Sequence, residues 1–133
     1  MAKTKKTIKK TDVQSEHSEV GGDHYSKMKV EPIRLIEVMQ LDFVQGNIVK
    51  YISRYKNKGG VEDLRKARHY CEIGSRRFDR SSYYREYNRA EEFAVNMYCE
   101  INGLGEIERN VIVNAMKNEY KECMEYIDSL IAA

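Results

Sequence analysis

The chain has 133 residues, of which 41% are hydrophobic and 33% are charged, with a single proline. This length suits one domain with a real core and is too short for two. No run approaches the roughly eighteen apolar residues of a membrane span, and no secretory signal is apparent at the N-terminus. We therefore expect a cytoplasmic protein without a membrane partner.

The formal net charge of +2 is unevenly distributed. Residues 42–80 contain ten Lys or Arg against five acids, whereas residues 81–133 contain five against ten. This asymmetry predicts an anionic ligand on the middle segment, pairing between copies of the chain, or both. Residues 1–20 are lysine-rich and lack apolar periodicity, so we expect a disordered basic tail that is a solubilising leader and not a nucleic-acid contact. Residues 21–133 are then a single helical domain.

The first helix is predicted from Pro32 to about Gln40, because proline suits the first position of a helix. Its apolar face consists of Ile33, Leu35, Ile36 and Met39. His24 lies in the polar loop before this helix and is the candidate general acid or base.

Residues 41–70 predict two helices joined by a basic turn. Asp42 and Gln45 have the spacing of a capping box, so the first of these helices should begin at Phe43. Its buried stripe is predicted to be Phe43, Val44, Ile48, Tyr51, Ile52 and Tyr55. A second, polar stripe follows the same helix and is the candidate ligand edge: Asn47, Lys50, Arg54 and Lys58.

The turn at 56–60 contains two glycines, one of which is expected to take a positive φ. The next helix should begin at about residue 60 or 61 and end near Asp79. Free N–H groups at a helix start can bind phosphate. Because Glu62 and Asp63 occupy the first turn and already complement the helix dipole, capping alone is the preferred interpretation.

Two more helices are predicted, over about 83–101 and 106–132, as a C-terminal hairpin. In the first of them the buried positions are predicted to be Tyr87, Phe93, Ala94, Met97, Tyr98 and Ile101. About five helices and no convincing strand predict an all-α fold, a compact helical bundle.

Several familiar sites are missing from the sequence. It contains no GxxxxGK[ST], GxSxG, HExxH or GxGxxG motif, so an ordinary P-loop kinase is excluded. The three cysteines are widely spaced and are predicted to be small buried residues: Cys71, Cys99 and Cys123. Four acids at three-residue steps spread across half a helix circumference, which favours a solvated face over a magnesium site: Glu119, Glu122, Glu125 and Asp128. No metal ligands are predicted.

Residues 23–72 also carry a longer pattern of motifs. In order it comprises His24-Tyr25, Glu31-Pro32-Ile33, Ile36-Glu37, Leu41-Asp42-Phe43, Gly46-Asn47-Ile48-Val49-Lys50-Tyr51-Ile52, Arg54-Tyr55-Lys56, Lys58, Gly60, Glu62-Asp63-Leu64, Lys66-Ala67 and Tyr70. This pattern resembles the small phage-encoded SaV-like family, which includes proteins described as phage nucleotide kinases. The resemblance makes residues 21–80 the family core and leaves residues 81–133 outside it.

The resemblance implies a helical, non-P-loop nucleotide-binding protein, a homo-oligomer in the cytoplasm of an infected or lysogenic bacterial host. Some members phosphorylate deoxynucleoside monophosphates, for which ATP or another nucleotide is the implied cofactor; a need for Mg²⁺ is left open. The positions that match the family pattern are His24 as the catalytic candidate, with Tyr25, Asn47, Lys50, Tyr51, Arg54, Lys58 and Lys66 as phosphate- or nucleotide-binding candidates.

The chemistry of these residues suits such a ligand. Lys50, Arg54 and Lys58 can neutralise phosphate, Asn47 can read a base or sugar edge, and Tyr25 or Tyr51 can stack.

Three hypotheses stay open at this point. The first is an enzyme that phosphorylates nucleoside monophosphates, with His24 orienting or deprotonating the acceptor. The second is a non-catalytic sponge that sequesters a host nucleotide or defence signal. The third is a helical oligomeric adaptor whose basic middle pairs with an acidic segment.

Overall fold

The computed structural model describes residues 28–77 and 86–133, and within these ranges all regular structure is α-helical. The described residues form six helices in order: α1 Pro32–Met39, α2 Phe43–Arg54, α3 Val61–Ser75, α4 Arg89–Ile101, α5 Glu106–Met116 and α6 Tyr120–Ala132. The all-α prediction is confirmed for these ranges. The predicted tail at 1–20, together with His24 and Tyr25, lies outside them.

The predicted count of about five helices is wrong, because the segment expected to form one last helix, 106–132, forms two helices. Asn118 has a φ of 60°, a left-handed conformation that cannot continue a right-handed helix and that asparagine tolerates. α5 therefore ends at Met116 and α6 begins at Tyr120. The described part of the C-terminal region, 86–133, holds three helices instead of a hairpin of two.

Two further helix boundaries differ from the predictions. α3 ends at Ser75, not near Asp79, and its last turn closes with Ser75 Oγ donating to the Glu72 carbonyl at 2.8 Å. α4 begins at Arg89, not near residue 83, because Asn88 caps it: Asn88 Oδ1 accepts from the Glu91 N–H at 2.9 Å. Capping chemistry, which periodicity does not report, sets where α4 begins.

The predicted capping box at the start of α2 is confirmed. Asp42 Oδ1 accepts from the Gln45 N–H at 2.8 Å, and Gln45 Oε1 accepts from the Asp42 N–H at 3.0 Å. Gln45 Nε2 also donates to the Ala115 carbonyl at 3.0 Å, in the last turn of α5. The buried Gln45 side chain thus caps α2 and satisfies a carbonyl of α5 at the same time.

The core lies among four helices, with α2 and α6 each packed against both α3 and α5. α1 flanks this core beside α2, and α4 flanks it beside α5 and α1. Fully buried members of the core include Ile48, Ile52, Val111, Ile112 and Ile127. The three cysteines are buried, as predicted. None of the helices in the described ranges combines the length and apolar character needed to cross a membrane.

Several apolar side chains that were predicted to be buried are instead exposed: Ile33, Phe43, Phe93, Met97 and Ile101. For α4 the reason lies in its neighbours. It packs mainly against α5 and α1, and its buried residues are Val95, Tyr98 and Cys99. The residues 93, 97 and 101, four apart, are therefore left at the surface.

Gly74 of α3 lies against the first residue of α6, Tyr120. A Cβ at this position would lie 2.7 Å from Cε2 and Cζ of Tyr120. The Tyr120 ring is fully buried and its hydroxyl donates to Asn118 Oδ1 at 2.6 Å, so it cannot move aside freely. We expect Gly74→Ala to lower the free energy of unfolding by about 2 kcal/mol through overpacking, as measured by urea denaturation.

Gly46→Ala on α2 is the matched control. Its Cβ would lie 3.5 Å from Ile36, an ordinary van der Waals contact. Because alanine is the better helix former, the free energy of unfolding should stay unchanged or rise by up to about 1 kcal/mol. Equal destabilisation by the two substitutions would show that the contact with Tyr120 is not the cause.

Glu108 is a buried carboxylate in the first turn of α5. Its Oε1 accepts from the Gly105 N–H at 2.9 Å, its Oε2 accepts from Tyr55 Oη at 2.5 Å, and Lys56 Nζ lies 3.5 Å from Oε2. Burial by itself would raise the pKa of Glu108. The hydrogen bonds and the ammonium group outweigh burial and lower that pKa below its ordinary value.

This lowered pKa predicts a pH-dependent contribution to stability. The ionised Glu108 stabilises the fold fully above its ordinary pKa of 4.5, and this contribution is lost as the pH falls through the lower folded-state value. We expect Glu108→Gln to unfold at a lower urea concentration than the wild type at pH 7, with a difference that shrinks as the pH falls below 4.5. Glu122→Gln, at an exposed position of α6, should show no such course. A pH-independent difference for Glu108→Gln would contradict the assignment.

Candidate functional site

Three cations surround the ring of Tyr51 where α2 packs against α3. Lys50 Nζ lies 4.5 Å from the ring centroid, Arg54 Cζ lies 4.8 Å from it and Lys66 Nζ lies 5.5 Å from it. All three distances are within the range of cation–π attraction. Tyr70 stacks on Tyr51, with centroids 6.2 Å apart and planes 18° apart. These five residues form the Tyr51 cluster.

Phe43 lies beside this cluster, and the prediction that it is buried is wrong. It is 75% exposed, because positions 43, 47, 50 and 54 share one face of a 3.6-residue helix, opposite to Ile48 and Ile52. Its ring meets Tyr70 edge-on, with centroids 6.0 Å apart. Phe43 therefore adds an exposed aromatic surface to the predicted polar stripe.

Arg54 is bound by a carboxylate from α3. Its Nε lies 3.0 Å from Asp63 Oδ2 and its Nη2 lies 3.2 Å from Asp63 Oδ1, a bidentate pair. Asp63 is only 1% exposed and also accepts from the Gly59 N–H at 3.0 Å. Gly60, the N-cap of α3, receives no side-chain cap hydrogen bond, so the predicted capping at this helix start stays a prediction. Gly60 takes the expected positive φ, 56°. The charge of Arg54 is neutralised inside the protein.

Lys50 and Lys66 are different. Within the part of the chain that the structure describes, neither ammonium group has a carboxylate within ion-pairing distance. Since both lie close to one ring, they are at most about 10 Å apart, roughly one Debye length. The Tyr51 cluster therefore presents two uncompensated positive charges near each other.

A groove between α1 and α2 leads to the same lysine. It consists of two adjoining cavities of about 210 and 380 Å³ that share Ile36 and Lys50. The smaller is also lined by Glu31, Pro32 and Ile33, and the larger by Leu41, Asp42, Phe43, Gly46 and Asn47. This α1–α2 groove is mostly apolar, and it meets the Tyr51 cluster at Lys50 and Phe43. Such a combination of apolar walls and a few polar groups is typical of small-molecule sites.

The structure brings together four of the predicted site residues: Lys50, Tyr51, Arg54 and Lys66. Asn47 lines the adjoining groove, where its Nδ2 donates to the Phe43 carbonyl at 2.8 Å. Lys58 is exposed in the turn before α3. His24 and Tyr25 lie outside the described ranges. The role of each of these residues in ligand binding stays a prediction.

Sequence reasoning missed Phe43, Tyr70 and Asp63 as members of this site. The helical period contains the signal for two of them, because Phe43 shares the face of the polar stripe and Tyr70 lies four residues after Lys66 on α3. The pairing of Asp63 with Arg54 joins two helices and has no signature in the periodicity of either.

The acidic residues of α6 do not form a comparable site. Glu122, Glu125 and Asp128 are exposed, and Asp128 Oδ1 accepts from Arg68 Nε at 2.7 Å. Over residues 28–77 and 86–133, no group of three His, Cys, Asp or Glu side chains is placed to hold a metal ion.

Comparison with known proteins gives one finding. Residues 20–72 match a family model described as a protein of unknown function (DUF3310). The match includes α1, α2 and most of α3, and with them the α1–α2 groove and the whole Tyr51 cluster. No curated protein and no solved structure matches the chain. The resemblance to phage nucleotide kinases stays a prediction.

Proposed function

We propose that this protein binds a nucleotide across the α1–α2 groove and the Tyr51 cluster. The observation that carries the proposal is the position of Lys50, which lines both cavities of the groove and lies over the Tyr51 ring. A nucleotide needs cations for its phosphate and an apolar or aromatic surface for its base. Lys50 and Lys66 offer the first, and the groove walls with Phe43 and Tyr70 offer the second.

The charge of the cluster favours a nucleoside monophosphate. Because Asp63 neutralises Arg54, the cluster keeps a charge of +2 from Lys50 and Lys66, neither of which has an ion-paired carboxylate among residues 28–77 and 86–133. A phosphate monoester carries about −1.5 to −2 at pH 7, which this charge balances. A nucleoside triphosphate carries more negative charge than two ammonium groups offset. In this proposal Asn47, in the wall of the larger cavity, is placed to contact the sugar or base.

Phosphoryl transfer to the bound monophosphate is the enzymatic form of this proposal. It assigns the acid–base role to His24 and takes ATP or another nucleotide as the donor. The sponge hypothesis uses the same groove and cluster and needs no acceptor base.

Calorimetric titration of the purified chain with nucleoside monophosphates, the matching nucleosides and inorganic phosphate tests the proposal. We expect the monophosphate to bind more tightly than either of its parts. Incubation with ATP, with and without Mg²⁺, then separates the two forms: new diphosphate supports the enzyme, and retention of unaltered nucleotide supports the sponge. Equal affinity for nucleoside and monophosphate, or no binding of either, would overturn the proposal and leave the adaptor.

A further inference from the structure

Asn102, the residue after α4, holds the chain segment that leads into α1. Its Oδ1 accepts from the Lys29 and Val30 N–H groups, each at 3.1 Å, and its Nδ2 donates to the Val30 carbonyl at 2.8 Å. One side chain thus satisfies three backbone groups that lie more than seventy positions earlier in the sequence. The amide is matched to this task, because it presents an acceptor and a donor side by side.

This anchor lies directly before one wall of the α1–α2 groove. Glu31, Pro32 and Ile33 follow Val30 and line the smaller cavity together with Lys50. α1 is only eight residues long and packs mainly against α2 and α4. Its position relative to α2 therefore depends on few helix contacts, and the three hydrogen bonds of Asn102 add directional ones.

We propose that Asn102 is a positioning residue of the nucleotide site, which holds the α1 wall at the distance from Lys50 that the base requires. The inference rests on the proposed function. It gives the C-terminal region, which lies outside the family match at 20–72, a part in the site. Because α1 provides the apolar wall and the lysines bind phosphate, loss of the anchor should weaken the contact with the base and spare the contact with phosphate.

Asn102→Asp and Asn88→Asp each add one negative charge to α4, at the C-terminal end, where the helix dipole opposes it, and at the N-terminal end, where the dipole favours it. At Asn102 the new carboxylate oxygen would face the Val30 carbonyl, where an N–H now donates. At Asn88, the N-cap, aspartate caps as well as asparagine does. Asn102→Ala removes the same three hydrogen bonds without adding charge, and it carries the same expectation if circular dichroism shows Asn102→Asp to be unfolded.

Two quantities are measured for each variant. The first is its affinity for a nucleoside monophosphate and for inorganic phosphate, and the second is the rate of amide hydrogen exchange at Lys29 and Val30. We expect Asn102→Asp to bind the monophosphate about tenfold more weakly, with phosphate affinity unchanged and faster exchange at both amides. Asn88→Asp should resemble the wild type in all three.

Two results would overturn the role of Asn102. The first is a monophosphate affinity equal to that of the wild type. The second is an equal loss for monophosphate and phosphate, which would indicate general destabilisation. A wild-type protein that binds no monophosphate would instead overturn the proposed function, and the positioning role with it.

Discussion

Lys50→Met should weaken the binding of a nucleoside monophosphate by about 10- to 100-fold, the worth of one hydrogen bond to a charged group. Methionine keeps an unbranched stem against the groove and removes only the ammonium group that lies over Tyr51. Adding Lys66→Met should weaken binding further, because both uncompensated charges are then gone. Calorimetry at one fixed, low salt concentration measures both effects, since salt screens such interactions.

Lys121→Met is the control for Lys50→Met. Lys121 is exposed on α6, which contributes no residue to the α1–α2 groove or to the Tyr51 cluster. Lys121→Met lowers the net charge of the protein by the same amount as Lys50→Met does. Its affinity for the monophosphate should stay within about twofold of the wild type. If Lys121→Met weakened binding as much as Lys50→Met, the attraction would come from the charge of the whole protein and not from the proposed site.

The parts of the fold that depend on residues close to one another in the sequence could be predicted. The capping box of Asp42 and Gln45 is a local pattern, and the structure shows both of its hydrogen bonds. The cysteines, read as small apolar residues, are buried. The polar stripe of α2 follows from the helical period alone, and three of its members do lie along the groove or the Tyr51 cluster: Asn47, Lys50 and Arg54.

Other features required a neighbour that is distant in sequence. The anchor between Asn102 and Val30 joins residues 72 positions apart, and no spacing rule connects them. The break at Asn118 depends on a left-handed residue inside a segment whose apolar period runs on, so periodicity joined two helices into one. Phe43 is a different case. The helical angle places it on the same face as Lys50, whereas its apolar side chain favours a buried position.

Asp63→Asn should cause the largest loss of stability among the substitutions in this region, about 3 kcal/mol in the free energy of unfolding. Asp63 is 1% exposed and the Arg54 side chain is 12% exposed, so the substitution removes the carboxylate charge that pairs with a largely buried guanidinium group. An asparagine amide also presents one oxygen where the carboxylate presents two, so it cannot accept all three hydrogen bonds from Arg54 and Gly59. Urea denaturation at pH 7 measures the change.

Glu62→Gln removes a charge from the same turn of α3 at an exposed position and should change the free energy of unfolding by no more than about 0.5 kcal/mol. Combining Arg54→Met with Asp63→Asn should recover part of the loss, since both charges of the buried pair are then removed together. Additive destabilisation in the double variant would contradict this account.

The pair of Arg54 and Asp63 also decides how ligand binding should be tested. Because substitution of Arg54 disturbs the fold through Asp63, a loss of affinity is informative at Lys50 and Lys66 and ambiguous at Arg54.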